Sequence, residues 1–339
     1  MAVKVLIIDD SKSMQRLLAA ILSDDPMIDV IGMASDPYEA RAMIKELNPD
    51  VLTLDIEMPK MNGLQFLSKV MTLRPMPVVM ISSHTGRGTE LSLEALSQGA
   101  FCCLPKPRID DEAALREICA MVKSAAQSSA AIARNAKQPA ALTAKPERIR
   151  SGTMPEIIAI GSSTGGVEAL TTLFKSFPAD CPPTVVTQHM PATFTKSFAE
   201  RLNKICKPNV SEASNLTVLE PGNIYIAPGA VGHTKIIKTD KLRTRVSPGE
   251  PVDGHMPSVN VLFDSLAETG CKNICSALLT GMGSDGANGL LHLKEAGAKT
   301  IAQDERTSLV YGMPKAAHML GAASFVLPIT KIADALLSY

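Results

Sequence analysis

Nowhere does the sequence hold an apolar run approaching the roughly 18 to 20 residues that a membrane-spanning helix needs. Its start, Met1-Ala2-Val3-Lys4-Val5-Leu6-Ile7-Ile8-Asp9-Asp10, has neither the flanks nor the cleavage site of a signal peptide. The reading is a soluble, cytoplasmic protein with no direct membrane insertion. Net charge is missing too: 34 basic residues balance 34 acidic ones, which removes any overall electrostatic reason to expect nucleic acid as a partner. The seven cysteines are odd in number, with no CxxC pair and no matching histidine spacing, so neither a disulfide framework nor a zinc site is supported. No internal repeat is found. What remains is an ordinary globular composition, 45% hydrophobic and 20% charged over 339 residues, long enough for about two domains with their own cores.

Along the chain, short β-branched apolar runs alternate with longer stretches of three- and four-residue apolar spacing. Val3 to Ile8, Asp29 to Met33, Asp50 to Leu54, Pro77 to Ile81 and Ala100 to Leu104 read as buried strands. Ser11 to Leu22, Pro37 to Leu47, Gly63 to Met71, Thr89 to Ser97 and Asp110 to Lys123 read as helices, with Asp36 and Asn62 placed to cap two of them. Such alternation requires a parallel sheet covered on both faces. Residues 1–123 thus form one domain. Residues 124–153, crowded with Ala, Ser, Gln and Lys and broken by Pro139 and Pro146, read as an extension of the last helix and then a linker. A second alternating domain, residues 154–339, has strands at Glu156 to Ile160, Thr184 to Gln188, Asn273 to Thr280 and Lys299 to Gln303. Turn signals at Pro221-Gly222, Pro228-Gly229 and Thr239-Asp240 predict antiparallel hairpins inserted across Val218 to Val246.

Ligands of open parallel sheets bind beyond the carboxyl ends of the strands. In the first domain those ends carry Asp9-Asp10, Asp55, Ser82-Ser83 and Lys106-Pro107. Three carboxylates at one sheet edge repel one another unless a hard divalent cation such as Mg²⁺ sits among them. A lysine and a hydroxyl nearby would hold an anionic group beside that metal. Each Asp taken singly is most simply a cap or turn residue; the ordered set is harder to assign to chance.

Asp9-Asp10, Asp55 followed by Met58-Pro59 and Gly63, Ser82 and Lys106-Pro107 resemble the receiver domain of bacterial response regulators, over about residues 1 to 123. The resemblance implies a flavodoxin-like fold, Asp55 as acceptor of phosphate from a histidine kinase, and Mg²⁺ held by Asp9, Asp10 and Asp55. It further implies that Ser82 senses the phosphate, that Lys106 pairs with it and that the Lys106-Pro107 peptide is cis. Cys103 stands where that family usually has an aromatic switch residue.

In the second domain, Gly161-Ser162-Ser163-Thr164-Gly165-Gly166 follows a strand and precedes a helix, a match to G-x-S-x-G with Ser163 central. The glycines permit a tight turn that exposes the hydroxyl, while the helix start offers N–H groups to an oxyanion. Glycine-rich turns of this kind more often bind phosphate, but no Gly-Lys-Ser/Thr follows and a P-loop is excluded. Of six histidines only His189 directly follows a predicted parallel strand. The acid orienting it is best sought at Asp285, again just after a strand, with Asp304 and Glu305 competing. His84, His233, His292 and His318 are most simply surface or structural; His255 is the exception to watch, in a loop constrained by Gly254 and Pro257. The chain order Ser, His, Asp differs from that of α/β-hydrolases.

Gly161 to Gly166, Gln188-His189-Met190-Pro191, Ser197 to Leu202, Pro257-Ser258-Val259, Thr280 to Gly289 and Tyr311-Gly312-Met313-Pro314 together resemble the catalytic domain of the chemotaxis protein-glutamate methylesterase and protein-glutamine glutaminase family, over about residues 155 to 337. Thr193, Met256 and Asn260 depart from its usual Gly, Arg and Asp. The resemblance implies a serine hydrolase with the triad Ser163, His189 and Asp285. It would remove γ-glutamyl methyl esters from methyl-accepting chemoreceptors as methanol, deamidate certain glutamines, and be held back until Asp55 is phosphorylated. Backbone N–H groups at Thr164 and Met282 are expected to form the oxyanion hole, and no cofactor is expected for hydrolysis. The expected fold is α/β throughout: a flavodoxin-like receiver, then a larger doubly wound parallel-sheet domain with an antiparallel hairpin insertion. A DNA-binding output domain is opposed by the neutral charge and the large α/β pattern, and a non-catalytic scaffold by the complete triad.

Overall fold

The computed structural model describes residues 2–82, 86–108, 110–137 and 154–339. The chain divides into two compact units, Met1–Leu142 and Thr143–Tyr339.

The first unit runs β1 (Val3–Ile8), α1 (Lys12–Ser23), β2 (Ile28–Ala34), α2 (Pro37–Leu47), β3 (Val51–Asp55), α3 (Gly63–Leu73), β4 (Val78–Ser82), α4 (Gly86–Ser97), β5 (Cys102–Pro105), α5 (Glu112–Gln127) and α6 (Ser129–Lys137). Its five strands pair in parallel in the order β2-β1-β3-β4-β5. Strands β3 and β4 are buried at every position, because a parallel sheet sandwiched by helices leaves neither face in water. Asp36 and Asn62 cap α2 and α3, their side chains accepting from Glu39 N at 3.0 Å and Gln65 N at 2.8 Å. The predicted extension of the last helix is present to Gln127, with α6 after it; the rest of the expected linker, 138–153, lies outside the described residues. The strand order reverses direction between β1 and β3, and that switch point opens the crevice at their carboxyl ends.

The second unit runs β6 (Ile157–Ser162), α7 (Gly166–Lys175), β7 (Thr184–Gln188), α8 (Ala192–Ile205), β8 (Asn209–Glu212), β9 (Asn223–Ile226), β10 (His233–Lys238), β11 (Leu242–Ser247), α9 (Val259–Ala267), β12 (Ile274–Leu278), α10 (Ala287–Glu295), β13 (Lys299–Gln303), α11 (Met313–Met319), β14 (Phe325–Leu327) and α12 (Ile329–Leu336). Seven strands form one parallel sheet in the order β14-β13-β12-β6-β7-β9-β8, with β10 and β11 as a separate antiparallel pair. Here the switch lies between β6 and β12. The core beneath it gathers Val259, Leu262, Phe263, Leu278, Leu290 and Met313, all with no exposed surface.

Two expectations need correction. Only β10 and β11 make an antiparallel hairpin in Val218–Val246; β9 instead enters the main sheet parallel to β7 and β8. Turn residues mark where a chain bends but not which neighbour it joins, and the buried run Ile224-Tyr225-Ile226 finds two partners in the sheet. The edge strands β8 and β14 escaped the sequence pattern because they are short and partly exposed.

Candidate active site

At the switch point of the first unit, one oxygen from each of Asp9, Asp10 and Asp55 lies within 4.8 Å of the others. Asp9 and Asp55 are buried and Asp10 is exposed. Lys106, just past β5, puts its ammonium 2.7 Å from Asp55 Oδ2 and 3.2 Å from Asp9 Oδ2. One cation does not balance the cluster. Burial raises the Asp55 carboxyl above its ordinary range, the Asp9 charge adds to this, and Lys106 offsets it only in part. Asp9 Oδ2 is buried and, beyond its 3.2 Å ion pair with Lys106, has no hydrogen-bond partner. An orphaned carboxylate oxygen among three acids is a donor set that fits a hard divalent cation.

Ser82 ends β4 with its hydroxyl 3.4 Å from that of Ser92 on α4. Cys103 donates its thiol to the Ser92 carbonyl at 3.4 Å, and burial pushes its pKa up to about 12, keeping it a thiol. Ser83 and His84 lie outside the described residues. The implied cis peptide at Lys106-Pro107 is not found: among the described residues the cis bond is Met256-Pro257. With X–Pro bonds preferring trans by only about 0.5–1 kcal/mol, sequence alone does not select which proline is cis.

In the second unit, β6 and β7 pair so that Ser162 lies opposite Gln188, the last residue of each strand. The next residues, Ser163 and His189, therefore leave adjacent strands side by side, and the His189 amide donates to the Ser162 carbonyl at 3.1 Å. Ser163 is fixed by its own amide, which donates to Thr280 O at 3.0 Å, and by its carbonyl, which accepts from Gly166 N at 2.8 Å. Gly165 turns the chain into α7 at φ +80°, a conformation side chains disfavour. Gly281 abuts the serine: a Cβ there would lie 2.8 Å from Ser163 Cβ. Thr164 follows Ser163 on the turn into α7, and Met282 follows the Gly281 that abuts it.

His189 Nε2 and Asp285 Oδ2 are 2.8 Å apart. Its Nδ1 is buried without a hydrogen-bond partner. The His255 ring stacks on the imidazole with centroids 3.8 Å apart and planes 12° off parallel. That stacking ring is set by an Asp253-Gly254 turn, both residues at positive φ, with Val252 and His255 bonded across it.

Asp285 is buried and accepts four hydrogen bonds. Oδ1 takes Ser258 Oγ at 2.8 Å and Asn260 N at 3.0 Å; Oδ2 takes Val259 N at 2.7 Å as well as His189. It therefore sits at the start of α9, where amides and dipole favour an anion. Burial pushes its carboxyl up, but the bonds from His189 and the Asn260 and Val259 amides outweigh burial and hold it below the ordinary range. The competing acids lie elsewhere: Asp304 accepts from Thr307 N at 2.9 Å within its own loop, and Glu305 is exposed. His233, His292 and His318 bond to Glu250 O and Ser258 N, to Asp264, and to Tyr311 respectively.

The structure gives contacts to residues that the sequence marked only as part of the resemblance. Gln188 accepts from Ser162 Oγ at 2.6 Å and donates to the carbonyls of Ser163 at 2.9 Å and His189 at 3.1 Å. It clips together the two turns that carry nucleophile and base. A buried polar residue ending a strand of apolar and hydroxyl neighbours was the available signal. Ser258, Val259 and Asn260 gave less, since two of their contacts run through backbone amides that no residue type announces.

Residues 158–336 match the CheB methylesterase family and residues 5–119 the response regulator receiver domain. A protein-glutamate methylesterase/protein-glutamine glutaminase of Rhizobium etli is 52% identical over 98% of this chain and 95% of its own length. One of the same description from Caulobacter vibrioides is 50% identical over 99% and 97%. The crystal structure of the Thermotoga maritima CheB methylesterase catalytic domain superposes with TM-score 0.53 at 36% identity, covering 55% of this chain and 98% of that one.

Proposed function

The chain belongs to the CheB methylesterase family, with a response regulator receiver domain ahead of the methylesterase part, and from that premise we propose how its residues carry the activity. It is a protein-glutamate methylesterase and protein-glutamine glutaminase whose substrates are methyl-accepting chemoreceptors, acting by serine hydrolysis. The observation that carries the reading is the His189–Asp285 contact at 2.8 Å with His189 Nδ1 left unpartnered, on the residue that leaves its strand beside Ser163.

An ionised Asp285 keeps the proton of His189 on Nε2, which leaves the Nδ1 lone pair for the Ser163 hydroxyl. Ser163 Oγ attacks the glutamyl ester carbonyl as Nδ1 takes its proton. The oxyanion accepts hydrogen bonds from the backbone N–H groups of Thr164 and Met282. Collapse breaks the bond to methoxide, and His189 returns the proton so that methanol leaves; for glutamine the leaving group is ammonia. Water, deprotonated by the same Nδ1, then cleaves the acyl-serine and releases a glutamate carboxylate. Asp285 stays anionic throughout and stabilises the imidazolium.

Asp55 is the phosphoryl acceptor from a histidine kinase, with Lys106 placed to pair with the new anion and Ser82 at the same strand edge. Asp9, Asp10 and Asp55 would hold Mg²⁺, which when bound neutralises charge on phosphoryl oxygens. Phosphorylation adds about −1.5 to −2 charges there and regulates the hydrolase. Among the described residues no helix is long and apolar enough to cross a membrane.

Methanol release from methylated receptor membranes tests the assignment. Wild type releases methanol, faster with Mg²⁺ and a small phosphoryl donor, and Ser163→Ala releases none. Release by a folded Ser163→Ala variant sinks the nucleophile assignment, and equal rates with and without donor sink the regulation.

A further inference from the structure

The hairpin β10–β11 carries charge out of proportion to the chain. Residues 233–247 hold five basic side chains, Lys235, Lys238, Lys241, Arg243 and Arg245, against one acid, Asp240, in a protein whose totals are 34 and 34. Its pleat sorts them. Thr234, Ile236 and Thr244 are buried on the face turned into the unit, and the edge of β10 is tied to α9 by Ile236 N donating to Ser265 Oγ at 2.9 Å. On the opposite face, strand register sets Lys235 directly across from Arg245 and Ile237 across from Arg243. Lys235 and Arg245 are exposed, and among the described residues neither has an ion-pair partner; Arg243 alone meets an acid, Asp240 at 3.4 Å.

Like charges directly opposite on one sheet face destabilise the strand pair. Folding is not served by this arrangement, so its compensation is sought in a partner. The same strand also reaches residues that hold Asp285. His233, two residues along β10 from Lys235 and therefore about 7 Å away, accepts from Ser258 N at 3.1 Å, and Ser258 Oγ donates to Asp285 at 2.8 Å. The chain leaving β11 leads through the Asp253-Gly254 turn to His255 on the His189 ring.

We propose that the Lys235, Arg243 and Arg245 face with Ile237 docks the acidic segment of the receptor that flanks the scissile glutamyl ester. The inference rests on the function proposed above. Charge complementarity identifies the occupant: each turnover leaves a glutamate carboxylate on the receptor, so sites already hydrolysed present anions beside the remaining ester. Three cations around one aliphatic side chain fit a segment bearing carboxylates on an otherwise apolar face. Product sites then strengthen engagement of the next substrate site, through a rim of charges that acts on encounter and is screened by salt.

Initial rates of methanol release by the phosphorylated full chain test this, on receptor membranes whose other modification sites are either all glutamate or all glutamine. Wild type is expected to show a KM about tenfold lower on the glutamate receptor at low salt, the preference fading as salt rises. The double variant Lys235→Glu/Arg245→Glu raises that KM at least tenfold, abolishes the preference and changes kcat less than twofold. Lys235→Gln/Arg245→Gln falls between, and serves if the reversal does not fold, which labelling of Ser163 by a fluorophosphonate reports. Soluble polyglutamate competes with the receptor. An unchanged KM in a variant that labels normally overturns the proposal, as does competition by duplex DNA but not by polyglutamate, which would assign the face to nucleic acid. If wild type releases no methanol from either receptor, the function itself has failed, separately from the docking face.

Discussion

Replacing Asp285 by asparagine changes one atom of a buried carboxyl that four donors face, and the geometry limits how the amide can respond. With its NH₂ in the place of Oδ2, it meets the Val259 amide and His189 Nε2. The Val259 N–H cannot turn away, and the imidazole must move its proton to Nδ1, the nitrogen that should receive the Ser163 proton. In Ser-His-Asp triads such a wrong tautomer costs ~10⁴ in kcat. With NH₂ in the place of Oδ1, it meets the fixed Asn260 amide and the Ser258 hydroxyl, which can rotate to accept. The tautomer then survives but no anion faces the imidazolium. Either way one buried amide points at a donor, a penalty of ~1–3 kcal/mol.

The expected result is a kcat lower by ~10² to ~10⁴, or about 2.7 to 5.4 kcal/mol at about 1.36 kcal/mol per tenfold, with stability lower by ~1–3 kcal/mol. The stability gap also has a pH signature. The Asp285 carboxyl lies below its ordinary range, so its contribution is complete above the unfolded pKa and is lost only as pH falls through the folded value. Wild type and variant should therefore differ fully at neutral pH and converge below about pH 4. Methanol release gives kcat, and urea unfolding at several pH values gives the gap. A folded Asp285→Asn enzyme within tenfold of wild type would refute the reasoning.

Further outcomes follow from the same contacts. His255→Ala exposes one face of the His189 ring and should lower kcat ~10-fold at little change in KM, whereas His255→Phe restores most of it by keeping a flat ring; equal loss in both would show that stacking is not what matters. Gln188→Ala leaves the Ser162 hydroxyl and the His189 carbonyl without their partner and takes from the Ser163 carbonyl one of its two donors, Gly166 N remaining, so urea unfolding should report a loss of ~2–3 kcal/mol and initial rates a lower kcat. Asp55, with its carboxyl raised chiefly by burial, binds its proton more tightly folded than unfolded, so stability falls as pH rises from the unfolded value through the folded one. At neutral pH Mg²⁺ should therefore raise the Tm of the first unit and a chelator reverse it, with Asp55→Asn more stable without metal and nearly insensitive to it; calorimetry showing no Mg²⁺ effect on wild type would count against the metal site.

The parallel strands were legible because burial on both sheet faces writes itself as unbroken β-branched runs, as in Val78 to Ser82 and Ile157 to Ser162. Residues placed directly after them were legible for the same reason, since a strand end fixes its next residue at the sheet edge. What the sequence did not disclose depends on pairing over distance. The Ile224-Tyr225-Ile226 run looks the same whether it closes a hairpin or enters a sheet. Two of the four donors on Asp285 are backbone amides of residues 25 and 26 positions away. His255 could be noted for its constrained loop, but that the loop lays its ring on His189 is a fact of tertiary structure.

One folding rule thus delivers opposite electrostatics at its two sites. Both carboxylates lie beyond or at the carboxyl end of a strand beside a sheet switch point, Asp55 as the last residue of β3 and Asp285 in the loop after β12, and both are buried. Asp55 receives one backbone amide, Glu57 N at 3.3 Å, shares Lys106 with Asp9, and faces another acid. Its charge is undercompensated, which raises its pKa and leaves demand for a cation. Asp285 receives two amides, a hydroxyl and an imidazole at the start of α9, and its charge is compensated in place. That difference sorts the chemistry: the undercompensated carboxylate suits reaction with an incoming phosphoryl group held beside a metal, while the compensated one suits a permanent anion that never reacts and keeps a histidine in one tautomer. Transplanting amide donors to Asp55 would be expected to weaken its hold on a cation, because the charge that the cation answers would already be met.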